Sequence, residues 1–172
     1  KEIGRRLEAI GVDVSTLSAV CVTHEHDDHT SGLGVLQRRF GIPLYANAGT
    51  IQAVGQTDKL SDVKWNMFTT GSAFPVGDLR LDPFSVPHDS YDPVGFVVSS
   101  IDDRVGIVTD MGMATSLVRE RLKNCRVIVI EANHDEKMLK DADRPWSLKQ
   151  RIAGRQGHFS NSQATELIAE IA

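Results

Sequence analysis

Three histidines and three carboxylates lie within seven consecutive residues, and this stretch constrains the fold more than any other part of the chain. The segment reads Thr23-His24-Glu25-His26-Asp27-Asp28-His29 and directly follows an apolar run. Alternate side chains of an extended segment share a face, so His24 and His26 can converge on one ion, whereas on a helix they diverge by about 200°. If the strand ends near His26 and the chain turns, Asp28 and His29 can reach a second ion. We interpret the segment as a metal site and not as a solvated acidic turn.

The other histidines support a metal site. All six histidines of the chain follow either the end of an apolar, strand-like run or a glycine; those outside the motif are His88, His134 and His158. Imidazole nitrogens and carboxylate oxygens together suit Zn, Mn or Fe. The absence of cysteine from the pattern argues against a closed structural zinc site.

The motif from His24 to His29 matches the HxHxDH motif of the metallo-β-lactamase fold hydrolases, and the resemblance extends over the whole chain. That family also carries a lone histidine after a strand, an aspartate that ends a later strand and a last histidine near the C-terminus, which correspond here to His88, Asp110 and His158. Three further segments, 87–96, 131–135 and 157–161, resemble most the YycJ (WalJ) branch of this family. Proteins of that branch are regarded as nucleic-acid phosphodiesterases or exonucleases.

The resemblance implies a ligand set for two divalent ions, which would be Zn, Mn or Fe. The implied ligands are His24, His26 and His88 for the first ion, Asp28, His29 and His158 for the second, and Asp110 as the bridge. A hydroxide held between the ions would be the nucleophile, because a divalent metal lowers the pKa of water toward about 7. Asp28, Asp110 and His134 are the implied catalytic residues.

His134 and Glu131 fall outside the ligand set, and two interpretations of them stay open. In the first, His134 protonates the leaving oxygen or holds the scissile phosphate. In the second, the segment Glu131 to Asp135 is a connection between a strand and a helix whose polar groups satisfy backbone donors, and His134 supports a ligand or caps a helix.

The hydrophobic pattern predicts helices at both ends of the chain and strands between them. A helix ending at Gly11 precedes a buried strand from Leu17 to Val22, and helix-strand-helix order continues to a polar loop from Gln56 to Lys64. Strand-like runs separated by turns then fill residues 65–108. From pattern alone this is an α+β fold with two sheets between helices, and the resemblance specifies an αββα four-layer sandwich.

The length and the family pattern also bear on domain organisation. We expect residues 1–172 to form a single hydrolase domain. Family members carry several strands before the HxHxDH strand, whereas this chain has one helix there. We therefore expect that about 50 N-terminal residues and some C-terminal residues of the complete domain are absent.

Composition narrows the location and the partners. The N-terminus lacks an apolar signal region and nothing approaches 18 consecutive apolar residues, so we predict a soluble, cytoplasmic protein without a membrane partner. Cys21 and Cys125 lie in apolar runs and are expected to be reduced core residues.

The formal charge of −4 does not exclude nucleic acid, because two divalent ions would add four positive charges at the site. Six basic residues between Lys137 and Arg155 form either a phosphate-binding patch or an ordinary solvated surface.

The leading hypothesis is a dinuclear metal-dependent phosphodiesterase or exonuclease that acts on a single strand or an end of DNA or RNA. The alternative is a small-substrate hydrolase of the same fold, either a thioesterase of the glyoxalase II type or a lactonase. Asp28 and Asp110 weaken a β-lactamase interpretation, for which the resemblance predicts a cysteine or no bridging group. A degenerate family member that serves as an interaction module is disfavoured by the intact ligand set.

Overall fold

A computed structural model describes residues 2–56 and 60–171, and the chain divides into two compact units, residues 1–68 and 69–172. Each unit contains one sheet together with helices, so the predicted combination of two sheets and helices is confirmed. The polar loop predicted from Gln56 to Lys64 lies partly outside the described residues. The prediction of one hydrolase domain over residues 1–172 stays a prediction.

The first unit is a small parallel sheet with four helices. Its strands are β1 (Val20–Cys21), β2 (Leu44–Asn47) and β3 (Trp65–Phe68), in that spatial order. Its helices are α1 (Glu2–Ala9), α2 (Asp27–Thr30), α3 (Leu33–Phe40) and α4 (Ala48–Val54). The core consists of buried apolar side chains from both kinds of element: Val22, Leu33, Leu44, Ala46, Val54 and Leu60.

Strand β1 is shorter than predicted, so a loop and not a strand leads into the histidine motif. The predicted strand begins at Leu17, but Asp13 caps a 3-10 turn over Val14–Thr16 and the ladder starts only where the Val20 amide donates to the Pro43 carbonyl at 2.9 Å. It ends at Cys21, five residues before His26. The Val22 amide still donates to the Tyr45 carbonyl of β2 at 2.8 Å, and the segment from Thr23 to His26 then lies outside the described strands.

The second unit is a five-stranded sheet in the order β4-β5-β6-β7-β8. The strands are β4 (Phe74–Val76), β5 (Leu79–Ser85), β6 (Val94–Ser99), β7 (Arg104–Val108) and β8 (Val127–Ile130). All neighbouring pairs are antiparallel except β7 and β8, which are parallel. Gly77-Asp78 joins β4 to β5, and Asp102-Asp103 lies in the connection between β6 and β7.

Four helices accompany this sheet: α5 (Ser116–Leu122), α6 (Glu136–Asp141), α7 (Trp146–Ile152) and α8 (Asn161–Ile171). A capping box begins α8, since the Ser160 amide donates to Gln163 Oε1 at 2.9 Å and the Gln163 amide donates to Ser160 Oγ at 3.2 Å. Helix α8 then buries Ala164 and Leu167 in a core shared with α5 and the sheet. None of the helices within residues 2–56 and 60–171 is long and apolar enough to cross a bilayer.

Strand directions bring three polar segments to one edge of this sheet. Strands β5, β7 and β8 run in the same direction, because β6 is antiparallel to both of its neighbours and β8 is parallel to β7. His88, Asp110 and Glu131 each follow the carboxyl end of one of these strands. Topology therefore gathers residues that are 21 to 43 positions apart in sequence.

The loop between α7 and α8 packs tightly against Gly112. A Cβ on Gly112 would lie 2.5 Å from the carbonyl carbon and oxygen of Arg155 and from the Gly157 amide nitrogen, all of which are backbone atoms. The Gly112 amide also donates to the Pro87 carbonyl at 2.8 Å. Gly112 thus joins the segments that carry His88, Asp110 and His158.

We expect Gly112→Ala to destabilise the protein by about 1 to 3 kcal/mol, because backbone on two sides has to move to admit one methyl group. The measurement is the free energy of unfolding in urea. Gly4→Ala is the matched control: no atom lies within 4 Å of its added Cβ, so it should stabilise α1 by up to about 1 kcal/mol. Equal stabilities of the Gly112→Ala variant and the parent would contradict this packing.

Candidate metal centre

The histidine motif of the first unit is extended at its start and helical at its end. His26 is the N-cap residue of α2, with φ −56° and ψ 146°, so His24 and His26 precede the helix and His29 lies on its single turn. The prediction that His24 and His26 are not helical is confirmed. The strand itself ends earlier than predicted, and a loop rather than a strand carries both rings.

The three imidazole rings of the motif lie in contact with one another. His24 Nε2 is 3.0 Å from His26 Nδ1, and the ring centroids of His24 and His29 are 4.1 Å apart. His24 is only 1% exposed. Imidazole nitrogens gathered in this way are typical ligands of divalent transition-metal ions.

Thr23 orients two of these rings, a role that sequence reasoning missed. Its hydroxyl oxygen lies 3.0 Å from His24 Nδ1 and 3.3 Å from His29 Nδ1. A polar partner on one ring nitrogen commonly fixes which nitrogen a histidine presents to a metal. Asp28 lies at the rim of this cluster, with Oδ2 3.5 Å from His29 Nε2 and a side chain that is 79% exposed.

In the second unit, His88, Asp110 and His158 come together as a possible ligand group. Each offers one ligand atom, and the three atoms lie within 4.8 Å of one another. The His88 and His158 ring centroids are 5.1 Å apart, and His158 Nδ1 is 3.5 Å from Asp110 Oδ1. These three residues, predicted as ligands from scattered positions, are therefore neighbours.

Backbone contact fixes the tautomer of His88. Its Nδ1 lies 2.9 Å from the Gly157 carbonyl oxygen, and a carbonyl can only accept, so Nδ1 carries the proton. Nε2 is then the nitrogen with a lone pair for a metal. The ring is 3% exposed, which excludes most competing water.

Glu131 is the residue of this unit that the predicted ligand set left out. Its Oε1 is 2.7 Å from His158 Nδ1, while Oε2 accepts hydrogen bonds from the Met111 amide at 3.1 Å and the Phe159 amide at 3.0 Å. The side chain is 7% exposed. His158 Nδ1 therefore donates to Glu131 and Nε2 is left to face a metal or a substrate, which is the arrangement that fixes ring orientation at many metal sites. The signal in the sequence was an acidic residue directly after a strand of the same edge.

The segment from Glu131 to Asp135 also satisfies backbone donors, as the second interpretation of this segment predicted. Asp135 caps α6 by accepting from the Met138 amide at 2.8 Å. Glu131 accepts hydrogen bonds from the backbone amides of Met111 and Phe159. Glu131 can therefore satisfy backbone donors and orient His158 at the same time.

His134 is set apart from the ligand group of the second unit. Its carbonyl accepts from the Asn161 amide at 2.9 Å, and its buried Nδ1 has no hydrogen-bond partner in the described part of the chain. The neighbouring Glu136 accepts from Ser160 Oγ at 2.6 Å, and this bond, together with hydrogen bonds from its own amide and from Ser162 Oγ, lowers the pKa of the Glu136 carboxyl. The role of His134 as a general acid stays a prediction.

The cysteines take no part in either cluster. Burial raises the pKa of the Cys21 thiol to about 12, and burial also raises the pKa of Cys125. A protonated thiol is a poor metal ligand. Both cysteines are free, as predicted.

Comparison with known proteins identifies the family. The profile of the family described as "Beta-lactamase superfamily domain" matches residues 5–172. The chain is 33% identical to exodeoxyribonuclease YycJ of Bacillus anthracis over 162 residues, which are 93% of this chain and 61% of that protein. It is 35% identical to exodeoxyribonuclease WalJ of Streptococcus pneumoniae serotype 2 (strain D39 / NCTC 7466) over 169 residues, 96% of this chain and 63% of that protein.

A solved structure supports the same fold. The Zn²⁺-bound PqqB from Methylobacterium extorquens superposes with a TM-score of 0.67 at 22% identity, over 90% of this chain and 56% of that one. The chain spans less than two thirds of the length of the two exodeoxyribonucleases it matches. The chain belongs to the metallo-β-lactamase superfamily, in its YycJ/WalJ branch.

Proposed function

We propose that this chain is the metal-binding part of a dinuclear phosphodiesterase that removes nucleotides from nucleic-acid ends. The observation that carries the proposal is the pair of ligand clusters, His24-His26-His29 in the first unit and His88-Asp110-His158 in the second, in a chain whose relatives at 33% and 35% identity are named exodeoxyribonucleases. DNA is the favoured substrate because both of these names specify it.

The donor chemistry of both clusters fits divalent ions. Imidazole nitrogens and carboxylates suit Zn, Mn or Fe, and the PqqB structure that is similar in fold to this chain is itself Zn²⁺-bound. Following the family pattern, we assign His24, His26 and His88 to one ion, Asp28, His29 and His158 to the other, and Asp110 to both. When bound, two such ions supply a nucleophile at neutral pH and stabilise charge on the phosphoryl oxygens.

The chain's own residues hold the ligands in the required protonation states. The Gly157 carbonyl keeps the proton of His88 on Nδ1, and Glu131 does the same for His158. Both rings therefore present Nε2 without a change of tautomer. Low exposure of His24 and His88 limits competition from water.

A panel of substrates tests the proposal. Single-stranded DNA, RNA, bis-p-nitrophenyl phosphate and S-lactoylglutathione are incubated with the metal-loaded protein under Zn²⁺, Mn²⁺ and Fe²⁺ in turn. Release of nucleotides from DNA and cleavage of the small phosphodiester are expected. Hydrolysis of the thioester alone would overturn the proposal in favour of a thioesterase.

Asp110→Ala is expected to lose one ion first and to reduce phosphodiester hydrolysis to the rate of the metal-free protein, because the carboxylate assigned to both ions is gone. Metal content by mass spectrometry and turnover of bis-p-nitrophenyl phosphate are the measurements. Asp103→Ala, at the opposite end of β7, is the control and should retain both ions. Normal turnover and metal content in Asp110→Ala would refute its assignment to both ions.

Glu131→Gln is expected to weaken metal binding by about 10- to 100-fold, because one amide oxygen cannot accept from three donors. The bond to His158 Nδ1 should also disappear, which is visible as a loss of its protected N–H signal in ¹⁵N NMR. Glu120→Gln serves as the control, since that side chain is 73% exposed and pairs with Lys123. An unchanged His158 signal with reduced stability would leave Glu131 a purely structural role.

His134→Ala distinguishes a general acid from a supporting residue. We expect both ions to be retained and kcat to fall by about 10² to 10⁴ on substrates with an alkoxide leaving group. Cleavage of bis-p-nitrophenyl phosphate should fall much less, because p-nitrophenolate leaves without a proton. Equal slowing of both substrates, or loss of metal, would assign His134 to structural support.

A further inference from the structure

The six basic residues between Lys137 and Arg155 fall into different environments. Lys137 Nζ lies 3.2 Å from Asp141 Oδ2 within α6, so its charge is already paired. Lys149 Nζ donates to the Lys140 carbonyl at 2.6 Å, which joins α6 to α7. Lys137 and Lys149 therefore stabilise local structure, and the segment as a whole is not a uniform basic surface.

Arg151 is held beside the ligand group of the second unit. Its Nε lies 2.5 Å from Asp89 Oδ2, and Asp89 Oδ1 lies 3.5 Å from His88 Nε2. The Asp89 carboxylate raises the pKa of Arg151, so its charge is secure. The Arg151 side chain is still 57% exposed, and a guanidinium that uses Nε for one partner retains terminal donors for a second anion.

Arg155 lies in the short loop between α7 and His158, and its side chain is exposed. The loop backbone packs on Gly112, two residues after Asp110, and Arg155 Nε contacts Met113 Sδ at 3.2 Å. Across residues 2–56 and 60–171, no carboxylate oxygen lies within 4.0 Å of its guanidinium. A thioether neutralises no charge, so Arg155 carries an exposed positive charge on a rigidly packed loop.

We propose that Arg151 and Arg155 bind the phosphates that flank the scissile bond of a nucleic-acid strand. Arg151 forms an ion pair with Asp89, and Asp89 in turn contacts the predicted ligand His88. The backbone of Arg155 packs against Gly112, which lies in the segment that follows the predicted ligand Asp110. The inference rests on the proposed function and identifies, within the basic segment, the two cations that contact the substrate. The proposal does not require the lysines of α6 to contact the strand.

Two features favour phosphate over an acidic protein as the anion. A guanidinium fork matches the paired oxygens of a phosphate, and both cations here are arginines. Both also adjoin a site whose donor set suits divalent ions, where the substrate has to place a phosphodiester. A strand that enters this site carries further phosphates on either side of the scissile one.

The salt dependence of strand binding tests the proposal. A fluorescein-labelled 15-nucleotide oligothymidylate is titrated between 50 and 300 mM KCl, by anisotropy, with protein in an Asp110→Ala background that prevents cleavage. Each phosphate contact on a single strand contributes about 0.7 to the slope of log affinity against log salt, so Arg151→Gln with Arg155→Gln should lower the slope by about 1.4. Affinity at 50 mM KCl should fall at least tenfold.

Arg126→Gln is the matched control, because it removes the same charge at the opposite end of β8. Its slope should equal that of the parent, and Arg151→Lys should recover most of the slope lost in Arg151→Gln. Should the double variant disturb folding, Arg155→Gln alone should still lower the slope by about 0.7. A parental slope in the double variant, or an equal loss in Arg126→Gln, would overturn the proposal.

Turnover separates this inference from the proposed function. In the active background, the double variant should lose at least ten times more kcat/KM on the oligonucleotide than on bis-p-nitrophenyl phosphate, which has no flanking phosphates. Equal losses on the two substrates would refute the arginine contacts and leave the phosphodiesterase intact. If the parent protein cleaves neither substrate, the proposed function fails, while the salt slopes still decide whether these arginines bind a strand.

Discussion

The second unit depends on one buried carboxylate. Glu131 sits at the end of β8 and accepts from an amide after β7, an amide before α8 and the ring of His158. A buried charge is costly unless it is hydrogen-bonded, and here three donors satisfy it. The same contacts that stabilise this carboxylate hold three segments of the chain at one edge of the sheet.

The two ligand clusters arise by different physical routes. In the first unit the histidines are close in sequence, and the change from extended loop to helix at His26 brings the rings together. In the second unit they are distant, and the parallel direction of β5, β7 and β8 brings their carboxyl ends to one edge. In both units, a polar partner that does not belong to the predicted ligand set orients the rings: Thr23 in one, Glu131 and the Gly157 carbonyl in the other.

Patterns of residue type predicted the elements and the first cluster, the family resemblance implied the second cluster, and three-dimensional contacts supplied the rest. The helical periodicity of α1, α3 and α8 and the strand-like runs between turns in β5 to β7 were sufficient to locate those elements. Strand β1 was overestimated, since an apolar run does not reveal where the ladder begins. Thr23 was missed, and the contact of Glu131 with His158 was not predicted, because these hydrogen bonds join residues that no spacing rule relates. The basic segment was recognised by its charge, but only ion-pair geometry separates Arg151 and Arg155 from the lysines of α6 and α7.

The proposed function requires that the protein bind two divalent ions. Anomalous diffraction from crystals grown with Mn²⁺ or Zn²⁺ tests it most directly. We expect two anomalous peaks about 3.5 to 4 Å apart, surrounded by the ligands that the proposed function assigns from the family pattern. Peaks farther apart than about 10 Å, or a single ion held by one unit alone, would contradict it.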